Sequence, residues 1–348
     1  MKKRLVICCD GTWNSLKQSA RTNVARVWKA VPGEASDGTR QLTCYIEGVG
    51  ANLPLVGHLA GGAFGWGLSA NVREAYRFVV ENYAPGDELF FFGFSRGAYT
   101  ARSTVGLIRN CGVLRSEHAG LIGDAYRLYR NRDEVTGPDS PDAVRFRKEH
   151  AHEDVTPIRF IGVWDTVGAL GIPLSGGRLL HKFNERWQFH DVKLSSTVQS
   201  AFQALAVDEH RKSYVPAVWK PSRKPVEQNQ KREQVWFSGA HSDVGGGYRE
   251  HDLSDLALRW LANRAEKCGL AFDPGAFDGL AGADAEGTLH NSLNAFFRLF
   301  GSADRPIGQE DPPSESLASS ARDRHRNMAY SPANLVTYLD GSHKITTV

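Results

Sequence analysis

The chain has 348 residues and a formal net charge of +3, with 23% charged residues of both signs mixed along the sequence. Such a balance, without a basic stripe between aromatic residues, argues against nucleic-acid binding. No apolar run approaches the roughly 18 residues that span a membrane. The apolar run that follows the basic N-terminal residues stops at Asp10 and is too short for a signal peptide.

Cysteine usage points to a reducing compartment. The five cysteines are an odd number without paired spacing, and neither C-x-x-C nor H-E-x-x-H occurs. We therefore predict buried, reduced thiols and no metal site. We also expect no cofactor. The expected location is cytoplasmic, unless a specialised secretion system exports the protein.

The first predicted element is a short buried strand over Arg4–Cys9, which ends in the polar loop Asp10–Asn14. A loop at this place can offer a backbone N–H to an oxyanion, and Gly11 and Thr12 are the candidate donors. A turn in which Asp10 caps the residues behind it is an equally good interpretation.

A second apolar run, Leu89–Phe92, leads directly into Gly93–Gly97 (Gly-Phe-Ser-Arg-Gly), and a helix-compatible stretch follows. A G-x-S-x-G motif between a strand and a helix is the setting of a nucleophile elbow, which exposes Ser95 on a strained turn. Glycine fits both ends of the motif because a Cβ there would collide with the neighbouring strand or helix. The N–H of Arg96 is then an oxyanion donor. A glycine-rich turn with Ser95 as a helix N-cap is the alternative.

A serine nucleophile needs an imidazole and a third group that orients it. In α/β-hydrolases the chain order is Ser, acid, His, and each residue lies just beyond the carboxyl end of a strand. The predicted strand Ile158–Trp164 ends at Asp165, and Gln234–Phe237 leads through a short turn to His241. Asp165 is therefore the predicted acid and His241 the predicted base.

Two other carboxylates compete for the role of the acid. Asp243 is only two residues from His241, where it is better suited to stabilise the loop, and Asp208 is the second rival. Glycines on both sides of His241, at Gly239 and at 245–247, indicate a loop with unusual backbone angles.

Strand and helix patterns alternate along the chain, with helices predicted over Gly67–Glu81 and Leu253–Glu266. The alternation indicates an α/β fold with a mostly parallel central sheet and helices on both faces, in one domain over 1–348 with insertions. We interpret the charged, helix-rich residues of about 115–156 as a cap insertion, and the polar residues of about 301–326 as an extended loop.

The glycine-rich and then aromatic stretch Gly171–Trp187 follows the predicted acid and would overhang the site. Phe183 and Trp187 are candidate substrate contacts, although aromatic residues at this spacing more often belong to a core.

Several longer runs resemble one known family, and they are Cys9–Asn14, Gly93–Ala101, Gly162–Gly168, Asp208–Arg211, Trp236–Tyr248 and Tyr330–Leu335. Over nearly the whole chain the sequence resembles the α/β-hydrolase domain family of formerly unknown function that is shared with the first family of type VI secretion phospholipase effectors. By that resemblance Ser95, Asp165 and His241 fall on the Ser-Asp-His triad of the family. Chain order selects the same three residues.

The resemblance implies ester hydrolysis through an acyl-enzyme, with a lipid or phospholipid acyl ester as the substrate. Since the sequence ends soon after the hydrolase motifs, we expect no added membrane-anchoring module and only transient contact with a membrane surface. A stand-alone intracellular hydrolase of small esters and a non-catalytic binding module of hydrolase fold are the alternatives. The sequence does not indicate the oligomeric state.

Overall fold

A single parallel sheet organises the chain in the computed structural model, which describes residues 2–50, 61–131, 137–168, 194–220, 230–341 and 343–348. Within these ranges the sheet has eight strands in the order β2-β1-β3-β4-β5-β6-β7-β8, and all neighbours are parallel. The strands are β1 Lys3–Cys9, β2 Arg40–Ile46, β3 Glu88–Phe94, β4 Phe160–Trp164, β5 Ser200–Ala206, β6 Lys231–Phe237, β7 Glu315–Ala318 and β8 Ile345–Thr346.

Helices occupy most of the described connections between strands, because parallel neighbours need long crossovers. They are α1 Asn23–Ala30, α2 Gly61–Asn82, α3 Arg96–Cys111, α4 Ile122–Arg130, α5 Pro141–His150, α6 His241–Gly245, α7 Asp252–Lys267, α8 Ala295–Arg298, α9 Ser319–Asn327 and α10 Ala333–Leu339. Within the described ranges, no helix combines the length and the apolar composition needed to cross a membrane.

The sheet is buried on both faces, as all-parallel sheets are. Successive residues of β1 point to opposite faces, so Cys8 joins an apolar cluster with residues of α1 and α7, and Cys9 joins one with residues of α2 and α3. All five thiols are free. The predicted α/β fold with a mostly parallel sheet and helices on both faces is confirmed.

The strand order reverses beside β1, and this reversal positions the site. The chain passes from β1 to β2 on one side, and then returns to place β3 on the other side of β1. The loops that leave the carboxyl ends of β1 and β3 therefore diverge, and such a switch point leaves a crevice in which open α/β sheets bind ligands. Asp10 follows β1 and Ser95 follows β3 at this edge.

The predicted extended loop over 301–326 is wrong from Glu315 onward, where β7 pairs with β6 and α9 follows. The polar strand is stable inside the protein because the Glu315 carboxylate is fully hydrogen-bonded. It accepts the backbone N–H groups of Gly308, Glu310 and Asp311, and the indole N–H of Trp236. A buried carboxylate with four donors avoids the penalty of an unpaired charge.

The predicted cap at 115–156 contains α4 and α5. Ile122 and Ala125 of α4 pack in the same apolar cluster as Ala98 and Val105 of α3. The role of this segment as a cap stays a prediction.

Candidate active site

Ser95 occupies a sharp turn between β3 and α3, with φ 58° and ψ −123°. Residues other than glycine seldom adopt this conformation, and they do so mostly at functional sites. The turn is held by β4, because the Ser95 N–H donates to the carbonyl of Trp164 at 3.1 Å. The Ser95 hydroxyl makes no hydrogen bond that would cap α3, so the N-cap interpretation lacks its contact.

The two glycines of the turn leave no room for a side chain. A Cβ on Gly93 would lie 2.6 Å from the Cα of Ala98, at the start of α3. A Cβ on Gly97 would overlap the carbonyl oxygens of Cys9 and Asp10, at the end of β1. Glycine on both sides of the serine is therefore required by the close approach of helix and strand.

His241 begins α6, four residues beyond the end of β6. Its Nε2 lies 2.8 Å from the Oγ of Ser95, and its Nδ1 lies 2.5 Å from Oδ2 of Asp165. The ring is packed between aromatic neighbours, with Phe94 at 4.6 Å and the edge of Tyr214 at 5.0 Å between ring centroids. The structure thus brings together the three residues that chain order selects.

Asp165 follows β4 in a left-handed conformation with φ 38° and is fully buried. Its backbone N–H donates to the carbonyl of Ala204 at 2.7 Å, and its Oδ1 accepts the N–H of Ala206 at 3.0 Å. Both partners belong to β5, so the neighbouring strand fixes the carboxylate that faces His241.

Arg305 is the residue of this site that the sequence did not reveal. Its Nη1 donates to Oδ1 of Asp165 at 2.6 Å and its Nη2 to Oδ2 at 3.1 Å. The same nitrogens donate to the carbonyls of Ala206 at 2.9 Å and Tyr214 at 2.6 Å. Arg305 comes from a polar stretch without hydrophobic periodicity, and that stretch carries no local signal of burial.

The pKa values follow from burial and this pairing. Burial alone would raise the pKa of Asp165, but the charge of Arg305 and the hydrogen bond with His241 outweigh burial and hold that pKa well below its usual value. Burial lowers the pKa of His241, and the hydrogen bond and charge of Asp165 compensate only in part. The site therefore favours an ionised carboxylate beside a neutral imidazole.

The rival carboxylate Asp208 holds the loop in front of His241. Its Oδ2 accepts the N–H of Gly239 and the hydroxyl of Tyr330, both at 2.6 Å. The next residue, Glu209, accepts the backbone N–H of His241 at 3.3 Å. These contacts orient the loop and leave Asp165 as the carboxylate on the imidazole.

Asp243 also stabilises this loop. Its Oδ2 accepts the N–H of Ala240 at 2.9 Å and of His290 at 3.0 Å, and its Oδ1 lies 2.6 Å from Nδ1 of His290. The role predicted for Asp243 in the loop agrees with these contacts.

The loop that follows β1 packs against Ser95. A Cβ on Gly11 would lie 3.2 Å from the Cβ of Ser95. The Gly11 N–H is already used, because it donates to Oδ1 of Asp10 at 2.6 Å. Oδ2 of Asp10 accepts the hydroxyls of Thr22 at 2.6 Å and Tyr45 at 2.5 Å. Burial nevertheless raises the pKa of Asp10 to about 6.

Thr12 follows in the same loop and is 7% exposed. Among the described residues, its hydroxyl has no hydrogen-bond partner. The neighbouring Trp13 has a positive φ of 64°, and its ring lies 5.6 Å from the guanidinium of Arg96. Of the two residues predicted as backbone donors in this loop, Gly11 is the one whose N–H already has an acceptor, the Asp10 carboxylate.

The predicted substrate contacts Phe183 and Trp187, and the stretch Gly171–Trp187 that contains them, lie outside the described residues. They stay predictions.

Comparisons with known proteins identify similar chains. The family model described as "T6SS, Phospholipase effector Tle1-like, catalytic domain" matches residues 3–264. An uncharacterized protein of Saccharomyces cerevisiae is 21% identical in an alignment 431 positions long. The alignment covers 85% of this chain and 60% of the yeast protein. The chain thus spans less than two thirds of that relative.

Two solved structures are also similar at low identity. The Tle1 effector bound to the VgrG spike of the type 6 secretion system gives a TM-score of 0.46 at 15% identity, over 86% of this chain and 78% of the effector. An uncharacterized protein from Pseudomonas aeruginosa gives 0.45 at 17% identity, over 79% of this chain and 47% of the other.

Proposed function

Since the chain belongs to the family of Tle1-like catalytic domains of type VI secretion phospholipase effectors, we propose that it is a serine hydrolase that cleaves carboxylic esters. The observation that carries this proposal is the continuous hydrogen-bonded path from Ser95 Oγ through the His241 ring to Asp165, with distances of 2.8 and 2.5 Å. Nucleophile, base and orienting acid are within reach of one another before substrate arrives.

In the first step Ser95 Oγ attacks the ester carbonyl while His241 Nε2 takes the hydroxyl proton. Asp165 holds Nδ1 protonated, so that Nε2 carries the lone pair that accepts this proton, and it stabilises the imidazolium that forms. The His241 proton then passes to the leaving alcohol, and the acyl group stays on Ser95.

The tetrahedral oxyanion is bound in this proposal by the N–H of Arg96 and by a donor from the loop Gly11–Thr12. The Gly11 N–H faces the Asp10 carboxylate, so we favour Thr12 as the donor of that loop. Water, activated by His241, releases the acyl group by the same route, and the scheme requires no cofactor.

The substrate we propose is a lipid or phospholipid acyl ester, and the support is membership in a family of phospholipase effector catalytic domains. The same membership supports export by a secretion system as part of the proposal. Hydrolysis of small soluble esters would use the same residues. The panel of esters described below distinguishes the two substrate classes.

The test is labelling by a serine-directed fluorophosphonate. We expect the wild type to be labelled and Ser95→Ala to be unlabelled. Ser320→Ala is the matched control, since Ser320 is also buried, 7% exposed, and its hydroxyl has no partner in the described part of the chain. A wild type that resists labelling, or a Ser95→Ala variant that is still labelled, would overturn the proposal.

A panel of esters then identifies the substrate class. We expect hydrolysis of long-chain esters and phospholipid vesicles to exceed that of short-chain esters at equal labelling of Ser95. Activity confined to short, soluble esters would identify a small-ester hydrolase instead.

A further inference from the structure

We propose that Arg305 is a positioning residue for the proposed triad: it fixes the Asp165 carboxylate and offsets its charge, so that His241 faces Ser95 as a neutral imidazole. This inference rests on the proposed function. It adds a residue from outside the segment 3–264 that the family model matches.

The guanidinium of Arg305 is committed to this site. It is 4% exposed, and it makes two hydrogen bonds to the Asp165 carboxylate and two to backbone carbonyls. Its Nε has no hydrogen-bond partner among the described residues. A paired, planar guanidinium permits one orientation of the carboxylate plane, and that orientation places Oδ2 on Nδ1 of His241.

Charge compensation is the second consequence of the pair. A buried carboxylate beside an imidazole favours the imidazolium, because the charge acts through a medium of low polarity. With Arg305 on its other side, the Asp165 carboxylate forms a neutral pair and acts on His241 chiefly through the hydrogen bond. Proton transfer from Ser95 needs the imidazole in its neutral form before the attack.

Other charged and polar groups also face His241, and their side chains contact groups other than Arg305. Glu209 and Arg211 form an ion pair of their own at 2.7 Å, and the Tyr214 ring meets the imidazole edge-on. Because Glu209 is paired with Arg211, replacing Arg305 changes the charge balance around His241 only at the Asp165–Arg305 pair.

The backbone of Arg305 is tied to the same loops. The amide of Asn334 donates to the carbonyl of Arg305 and to the carbonyl of Val207, both at 3.1 Å. The N–H of Ala303 donates to the carbonyl of His210 at 3.0 Å. The C-terminal segment therefore holds Arg305 against the end of β5, where Asp165 is anchored.

The experiment compares Arg305→Met, Arg305→Lys and the control Arg147→Met. Arg147 is a matched buried arginine: it is 2% exposed, pairs with Asp154 and donates to two backbone carbonyls. None of these partners belongs to the proposed triad. The readout is the rate of fluorophosphonate labelling of Ser95 between pH 4.5 and 9, beside the midpoint of thermal unfolding.

For Arg305→Met we expect the acidic limb of the labelling profile to move up by about one pH unit, and the plateau rate to fall about tenfold. Lysine keeps the charge but loses the two-pronged geometry, so Arg305→Lys should keep the limb of the wild type and lose plateau rate. Arg147→Met should lower the unfolding midpoint and leave the limb in place.

If Arg305→Met folds and the acidic limb of its labelling profile does not move, this inference is overturned. The proposal of a serine hydrolase still holds in that case, provided that the wild type is labelled and Ser95→Ala is not. If Arg305→Met does not fold, Arg305→Lys decides, since a wild-type plateau in that variant would show that the geometry of Arg305 is irrelevant to His241.

Discussion

His241 Nδ1 and Asp165 Oδ2 lie 2.5 Å apart across 76 residues of sequence, and both side chains are buried. His241 stands at the start of α6 and Asp165 at the end of β4. Hydrogen bonds to Asp208 and Glu209 hold the loop of His241, and Arg305 holds the Asp165 carboxylate. Side chains that are held by neighbouring strands and by hydrogen bonds keep such a contact aligned.

Replacing Asp165 by asparagine tests this contact. Asp165→Asn preserves the size of the side chain but offers His241 and Arg305 no negative charge, so kcat should fall by about 10³ to 10⁴. The measurement is ester hydrolysis at pH 8, with Asp154→Asn as the control, since Asp154 pairs with Arg147 and is largely exposed. Activity within tenfold of the wild type would contradict the role of Asp165.

The pH dependence follows from the imidazole. Burial lowers the pKa of His241, and His241 must be neutral to accept the serine proton. Activity should therefore rise with pH through a limb that lies below 6.5, the ordinary value for histidine. We would measure kcat/KM for an uncharged ester from pH 4.5 to 8, and a limb above 7 would be incompatible with this environment.

Gly97 should be intolerant of any side chain. The Cβ of Gly97→Ala would overlap backbone oxygens of β1, which cannot move without disturbing the sheet, so we expect a loss of about 3 kcal/mol or more in the free energy of unfolding. Gly123→Ala is the control, because a Cβ added at this exposed position would meet nothing within 4 Å, so we expect its stability to stay within about 0.5 kcal/mol of the wild type. Urea unfolding measures both, and equal stabilities would refute the steric argument.

Asp10 should make stability depend on pH. Its pKa is raised to about 6 in the folded protein, against about 3.9 in an unfolded chain. The contribution of protonated Asp10 to the free energy of unfolding is thus complete below about pH 4 and is lost as pH rises through 6. The free energy of unfolding falls by about 3 kcal/mol over this range.

Asp10→Asn lacks this titration. The difference in the free energy of unfolding between variant and wild type should grow by about 3 kcal/mol in favour of the variant from pH 3 to pH 7. Urea unfolding at several pH values tests this, and two parallel stability curves would show that Asp10 does not titrate in this range.

Local patterns in the sequence predict much of the fold. The helix predicted over Leu253–Glu266 is observed as Asp252–Lys267, and the one over Gly67–Glu81 as part of Gly61–Asn82. Ser95, Asp165 and His241 could be selected because each follows a strand of apolar residues that is visible without any partner.

Features that depend on distant partners could not be predicted. Strand β5, Ser-Ala-Phe-Gln-Ala-Leu-Ala, consists largely of residues that favour helices, and its position between β4 and β6 overrides that preference. Arg305 is buried by a carboxylate 140 residues away, and nothing adjacent to it in sequence indicates that contact. Glu315 is likewise buried through donors that only the folded chain supplies.

The spacing of the site along the chain also bears on synthesis. Ser95 and His241 are separated by 146 residues, and chains are made from the amino terminus, with earlier segments free to fold first. A nascent chain that ends between these two residues carries the serine hydroxyl without the imidazole that it contacts. Any reactivity that Ser95 owes to His241 is therefore gained late in translation, after β6 has emerged and taken its place beside β5.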